Sequence, residues 1–260
     1  MWGLARATGR RVVLRIEDHD RQRSRPEFDA ALLEDLGWLG FVPDSGPLRQ
    51  SDDWTVYETA LARLRDDGLV YACDCTRSTF AAWARLHGRP WSGGGCPGSC
   101  RERALAEARG TGLRVPLGAG EETWIDQGRG PRRDAADREG DLLVRDSHGN
   151  WTYPFCVVVD DMRQDIDLVV RGEDLLDATA RQIRLGRLMG HDRPPAFYHH
   201  PLIRKHGGPK LSKSDGDSGV RELRARGLAP AAVLGEAAAA VGLIPEARPL
   251  ELGGLDALFG

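Results

Sequence analysis

The chain has 260 residues, with 36 Lys and Arg against 39 Asp and Glu, a net charge of −3, and 41% hydrophobic and 29% charged residues. That length suggests one large domain or two small ones, and that composition excludes a disordered chain, a collagen-like repeat and a polybasic arm. Any nucleic acid must therefore be met by a local basic patch rather than by the chain's overall charge. Only Lys205, Lys210 and Lys213 are lysines, so 36 − 3 leaves 33 arginines, and all three lysines fall between Arg204 and Ser214. No run approaches the ~20 apolar residues of a membrane span, and the first residues lack the zones of a secretory signal, so a reducing cytoplasm is expected. Under reducing conditions the cysteines, four of them between Cys73 and Cys100, read as a metal site rather than as disulfides.

In chain order, Arg11 to Ile16 is a β-branched run that predicts a buried strand with acids at its C-terminal end, Glu17, Asp18 and Asp20. Ser24-Arg25-Pro26-Glu27 has the form of a capping box, and Phe28, Ala31, Leu32 and Leu36 follow at helical spacing. Trp54, Tyr57, Leu61 and Leu64 mark a second amphipathic helix, and Leu69 to Ala72 a strand leading to the cysteines. From Cys73 to about Asp141 the pattern weakens into Gly, Pro and charge and reads as an insertion, with 93–95 and 127–131 its most loop-like parts. Leu142 to Val144 and Trp151 to Val159, flanking 147–150, predict a hairpin whose second strand carries Pro154 at an edge or bulge, with Cys156 in its apolar interior. Ile166 to Val170 predicts another buried strand, and Ile183 to Met189 a helix ended by Gly190. Leu223 to Leu243 reads as one Ala/Leu-rich helix. The alternation of strands and helices predicts an α/β architecture.

Two constellations carry chemistry. Lys210-Leu211-Ser212-Lys213-Ser214 sits among glycines, and two lysines three apart with hydroxyls between them suit a triphosphate and the charge that develops on a departing pyrophosphate. A solvated basic turn is the bland alternative, weakened by the near-absence of lysine elsewhere. Cys73-x-Cys75 and Cys96-x3-Cys100 offer four soft ligands for one tetrahedral structural zinc, against the alternative of idle reduced thiols. Arg181, Arg184 and Arg187, at spacing three on one helix, offer a basic RNA-facing surface or, more simply, a solvated face.

The lysine pentapeptide resembles the KMSKS loop of class I aminoacyl-tRNA synthetases, with Leu211 at the methionine position. Arg15 to Arg21 (RIEDHDR), Gly46 to Ser51 (GPLRQS), Val157 to Asp161 (VVVDD) and Val170 to Asp174 (VRGED) resemble, in the same order, stretches of the glutamyl-tRNA synthetase catalytic domain. The resemblance implies a class I, Rossmann-like nucleotide-binding fold with a zinc-containing insertion. It implies the catalytic domain at 1–72 and again at 142–219, the zinc-binding or acceptor-type insertion at 73–141, and a C-terminal helical segment at 220–260. It implies ATP binding by Lys210, Ser212, Lys213 and Ser214, with Lys210 and Lys213 catalytic, and glutamate binding by Glu17, Tyr153 and Arg171. Cys73, Cys75, Cys96 and Cys100 would hold zinc, and Mg would arrive with ATP.

The zinc cluster, and the few residues after Ser214, are similar to the shortened glutamyl-queuosine tRNA(Asp) synthetase family, in which a tyrosine commonly stands where this chain has Cys96. That resemblance implies activation of L-glutamate as glutamyl-adenylate and its transfer to the queuosine base of tRNA(Asp); the sequence leaves the oligomeric state open, with a monomer favoured. A fragment of a glutamyl-tRNA synthetase, or a non-catalytic RNA- or zinc-binding remnant, are the alternatives. The sequence departs from the family in two places. Leu175 stands where a Trp is typical, and residues 1–9 resemble the end of the helix after a first strand and a His-x-Gly-His motif that the chain does not contain. An N-terminally truncated fold with an exposed sheet edge and weak or no adenylate formation is the corresponding expectation.

Overall fold

The computed structural model describes residues 1–20, 24–88, 95–203 and 219–259. The chain runs through α1 (Trp2–Ala7), β1 (Val13–Ile16), α2 (Pro26–Trp38), β2 (Ser45–Arg49), α3 (Thr55–Asp66), β3 (Tyr71–Cys73), α4 (Arg77–His87) and α5 (Ser99–Glu102). It continues through β4 (Gly112–Val115), β5 (Glu121–Asp126), β6 (Gly130–Ala135), β7 (Leu142–Arg145), α6 (Tyr153–Arg163), β8 (Leu168–Gly172), α7 (Thr179–Leu188), β9 (Ala196–His200), α8 (Val220–Ala225) and α9 (Pro230–Ala240). Strands and helices alternate as expected, and the chain is α/β.

Three sheets form among the described residues. β1 pairs in parallel with β2. β3, β4 and β7 form an antiparallel sheet. The third sheet has the order β6-β5-β9-β8, with β8 and β9 parallel and β5 and β6 antiparallel. The segment read as a loose insertion thus supplies regular strands, and β5 meets β9 through Asp126 and Phe197. Its weak sequence pattern reflects short strands with charged outward faces: in β6, GPRRDA, no residue is buried and Pro131 and Arg133 are exposed. Among the described residues β1 has only β2 beside it and β8 only β9, so each leaves one edge unpaired there, and both border the same cleft.

The main core lies where α3, α6 and α7 meet β3, β4 and β7, around Tyr57, Leu61, Leu64, Val144, Phe155 and Leu185, all fully buried. α6 corrects the expected second strand of a hairpin. Its six consecutive residues Phe155 to Asp160 are all buried, so the helix shows no polar face and its β-branched run imitates a strand. Pro154 belongs to the first turn, where its missing N–H costs nothing. The turn before it is real, since Arg145 bridges Trp151, and Cys156 is a core residue, but of a helix. α2 begins at Pro26 with Arg25 as its N-cap and no side-chain cap, so the capping box from Ser24 does not form. None of its residues is buried; Phe28 and Leu32 are exposed, and Leu32 and Leu36 turn toward the cleft.

The expected single helix over 223–243 is two helices, α8 and α9, separated by Gly227 and Pro230. Gly235, in the middle of α9, faces the backbone of Arg248, and an added Cβ would fall 1.8 Å from that carbonyl oxygen. Helix propensity alone favours alanine at this position by about 1 kcal/mol. The close approach dominates instead, and Gly235→Ala is expected to destabilise the fold by about 1–3 kcal/mol in urea denaturation; a gain in stability would show that the tail around Arg248 does not pack on α9.

Candidate active site and cysteine cluster

Three of the sequence blocks meet at one buried carboxylate. Asp160 of α6 is fully buried and accepts hydrogen bonds from Tyr57 Oη at 2.9 Å and Gln50 Nε2 at 2.8 Å, with Arg163 Nε 3.2 Å and Arg15 Nε 3.6 Å away. Gln50 Oε1 in turn lies 2.8 Å from His19 Nδ1. Asp18 accepts from the Ser51 backbone N–H at 2.9 Å and from its hydroxyl at 2.5 Å. Strand β1 and its acidic end, the 46–51 segment and α6 are therefore fastened together by charge-assisted hydrogen bonds. Burial, with the Asp160 charge beside it, pushes the Tyr57 phenol far above its ordinary range, so it remains a donor.

This fastening opens a cleft of about 730 Å³ lined by α1, β1, α2, α6 and β8. Glu17, Tyr153 and Arg171 all line it, so the structure brings together the three residues expected to hold an amino acid. Glu17, about one-third exposed, is not isolated: Arg15 Nη2 lies 3.3 Å from its carboxylate, and Arg15 Nη1 donates to Asp161 at 3.0 Å. Burial, more than the neighbouring carboxylates, raises the Asp161 carboxyl to about 6 in spite of Arg15. Tyr153 has its phenol raised, by burial first and by Glu17 second.

Arg171 ends β8 almost fully buried, its guanidinium over the Phe197 ring at 5.2 Å. Nε donates to His199 Nε2 at 2.9 Å, Nη1 to Gln182 Oε1 at 2.5 Å and Nη2 to Thr179 Oγ1 at 2.8 Å. Burial lowers its pKa, with Tyr153 opposing. Sequence reasoning missed His199, Asp126, Thr179 and Gln182. A signal existed: in β9 the alternation of Ala196-Phe197-Tyr198-His199-His200 puts Phe197 and His199 on the buried face.

Lys210, Leu211, Ser212, Lys213 and Ser214, expected to bind ATP, lie outside the described residues. Arg181, Arg184 and Arg187 do not form an open RNA-facing patch, and of the three only Arg187 is exposed as a solvated face would require. Arg181 is buried against Glu139 at 2.6 Å, and Arg184 and Arg187 both clasp Glu122 of β5, at 2.5 and 3.0 Å. They lash α7 to the β5 and β6 region.

The four clustered cysteines converge. The sulfur atoms of Cys73, Cys75, Cys96 and Cys100 all lie within 4.8 Å of one another, with Cys75 3.3 Å from Cys100 and 3.7 Å from Cys96. A tetrahedron with metal–sulfur bonds of about 2.3 Å needs sulfur separations of about 3.8 Å, which this cluster meets with small adjustments. Gly95 lets the second pair approach: a Cβ there would lie 2.5 Å from the Glu139 carbonyl oxygen. Arg114 Nε, 3.1 Å from Cys73 Sγ, supplies positive charge for a thiolate.

Residues 1–89 and 102–247 match the family described as tRNA synthetases class I (E and Q), catalytic domain. The chain is 40% identical to a glutamyl-Q tRNA(Asp) synthetase of Symbiobacterium thermophilum, over 96% of this chain and 82% of the relative. It is 39% identical to one of Rhodobacter capsulatus, over 88% of each. Its fold superposes on the crystal structure of a glutamate tRNA ligase from Elizabethkingia meningosepticum in complex with its amino acid, with a TM-score of 0.77 and 25% identity, over 98% of this chain and 59% of that one.

The raised Asp161 carboxyl has a definite sign. Between its ordinary value of 3.8 and about 6 the folded chain binds more protons than the unfolded one, so stability falls as pH rises through that window. Asp161→Asn removes this slope. In urea titrations the stability difference between variant and parent is expected to move in the variant's favour by about 2 kcal/mol from pH 4.5 to 7.5; parallel pH profiles would contradict the assignment.

Proposed function

The chain belongs to the class I tRNA synthetases of the E and Q type, and we propose that it activates L-glutamate with ATP and transfers the glutamyl group to the queuosine base of tRNA(Asp). In the first step a glutamate carboxylate oxygen attacks the α-phosphorus of Mg-bound ATP, the bond to the β-phosphate breaks, and glutamyl-adenylate and pyrophosphate form. In the second step the queuosine base takes the acyl group and AMP leaves. Positioning and charge stabilisation carry the first step.

The observation that carries this reading is the convergence of Glu17, Tyr153 and Arg171 on one cleft, in a chain so similar to proteins named for this reaction. Glu17 receives the substrate ammonium. Arg171, with three of its five N–H groups held by His199, Gln182 and Thr179, has two left for the Tyr153 hydroxyl and a glutamate carboxylate. Lys210 and Lys213, with Ser212 and Ser214, neutralise the phosphates and the departing pyrophosphate. Cys73, Cys75, Cys96 and Cys100 hold one structural zinc, which closes residues 73–141 as an acceptor-type insertion between the catalytic halves 1–72 and 142–219, followed by the helical segment 220–260. A thiolate at Cys96 is a good fourth ligand, and a reducing cytoplasm keeps the set competent.

Labelled glutamate is expected to appear on queuosine-containing tRNA(Asp); its appearance on tRNA(Glu) instead would favour an ordinary glutamyl-tRNA synthetase. Arg171→Ala should lower kcat/KM for glutamate roughly 100-fold, about 3 kcal/mol, through loss of a charge-assisted pair. Purified protein should contain about one zinc per chain, with Cys73→Ser or Cys100→Ser losing the metal and lowering Tm; metal-free protein of unchanged Tm would remove the zinc assignment.

A further inference from the structure

Behind Arg171, which lines the cleft, stands the buried His199, which touches neither substrate nor reacting atoms in the chemistry proposed above. Its ring is entirely enclosed, and each nitrogen has one decisive partner. Nδ1 meets Asp126 Oδ2 in a short hydrogen bond, and Nε2 meets Arg171 Nε at 2.9 Å, with Thr179 Oγ1 3.3 Å away. Asp126 is itself fully buried, and its other oxygen accepts from the Gly128 N–H at 3.0 Å and the His199 N–H at 3.4 Å. An arginine Nε–H can only donate and a carboxylate can only accept, so the ring is neutral with its proton on Nδ1. Burial, assisted by the Arg171 and Arg129 charges, lowers its pKa against the pull of Asp126.

We propose that His199, oriented by Asp126, is a positioning residue that fixes the plane of the Arg171 guanidinium for glutamate, an inference that rests on Arg171 being the carboxylate-binding residue. A guanidinium aims its remaining N–H groups at a carboxylate only when its plane is set, and rotation about the terminal side-chain torsions is the freedom that must be removed. Thr179 and Gln182 anchor the two terminal nitrogens, both from α7. His199 alone among these partners anchors Nε, and it does so from β9, the strand adjacent to β8. Three anchors from two elements define the plane; two anchors from one helix allow the group to tilt with that helix. His200, next in the chain, is turned outward and bonds the Pro201 carbonyl, so strand alternation separates the two histidines by role. This arrangement is the familiar one in which a carboxylate fixes a histidine tautomer, applied to an arginine instead of a metal or a nucleophile.

The test uses ATP–pyrophosphate exchange on the full chain with L-glutamate as the varied substrate. His199→Phe keeps a flat ring but removes the acceptor, and is expected to raise KM for glutamate about 10- to 30-fold with KM for ATP unchanged. His199→Gln restores an acceptor for Nε and is expected to stay within about threefold of the parent. A parent protein that shows neither saturable glutamate dependence in exchange nor L-glutamate binding in calorimetry would overturn the reading of Arg171 itself. A normal parent with an unaltered His199→Phe, or with both variants equally impaired toward glutamate and ATP, would overturn the role of His199 alone. Should the phenylalanine variant fail to fold, 15N spectra of the parent decide: a His199 ring protonated on Nε2 at neutral pH would overturn the proposal, and one protonated only on Nδ1 supports it.

Discussion

The carboxylate of Asp160 is the constraint on which the rest of the site depends. A charge with no exposure to water is costly unless it is paired and hydrogen-bonded. Here Tyr57 and Gln50 donate to it while Arg163 and Arg15 stand beside it. Those groups come from α3, from the turn after β2, from α6 and from β1, so satisfying one buried charge fixes the relative placement of four elements. Tyr153 and Asp161 share α6 with Asp160, and Glu17 follows β1, so the position of the cleft wall follows from the same interaction.

The opposite wall obeys a second buried-charge rule. Arg171 enters an interior that would expel a free cation, and it stays because His199, Gln182 and Thr179 accept its protons and Phe197 offers a ring face. The cleft is thus a space between two polar networks, the carboxylate-centred one on β1, α3 and α6 and the guanidinium-centred one on β8, β9 and α7. An α-amino acid, with an ammonium at one end and carboxylates at the other, has complementary chemistry. Away from the cleft, Glu122 binds Arg184 and Arg187, and the four cysteines close on one another, so that charge and thiols add to the apolar contacts of β4 in holding residues 73–141.

Motif blocks were legible where chemistry is concentrated in contiguous residues. RIEDHDR, GPLRQS, VVVDD and VRGED could be recognised singly, and the structure adds that the first three are hydrogen-bonded to one another. Periodicity succeeded for α3, whose buried Tyr57, Leu61 and Leu64 share one face, because the other face is wet. It failed for α6 because six consecutive residues, Phe155 to Asp160, are buried and the β-branched composition of Val157 to Val159 imitates a strand. It misled over Arg181, Arg184 and Arg187, since spacing places residues on a face but does not say whether acids stand opposite.

The sequence by itself determined the chemical classes: an α/β chain of the E and Q synthetase type, acids at the end of the first strand, an arginine at the end of a later one, and four thiols grouped for a metal. These are properties of neighbouring residues and survive without coordinates. Only the tertiary structure decided that Asp160 rather than Glu17 is the hub, that α6 is a helix, and that His199 and Asp126 stand behind Arg171. Asp126, Arg171 and His199 are far apart along the chain and lie on three strands, and their meeting depends on the order β5-β9-β8. That order joins residues 73 and 28 positions apart, and no local pattern records it.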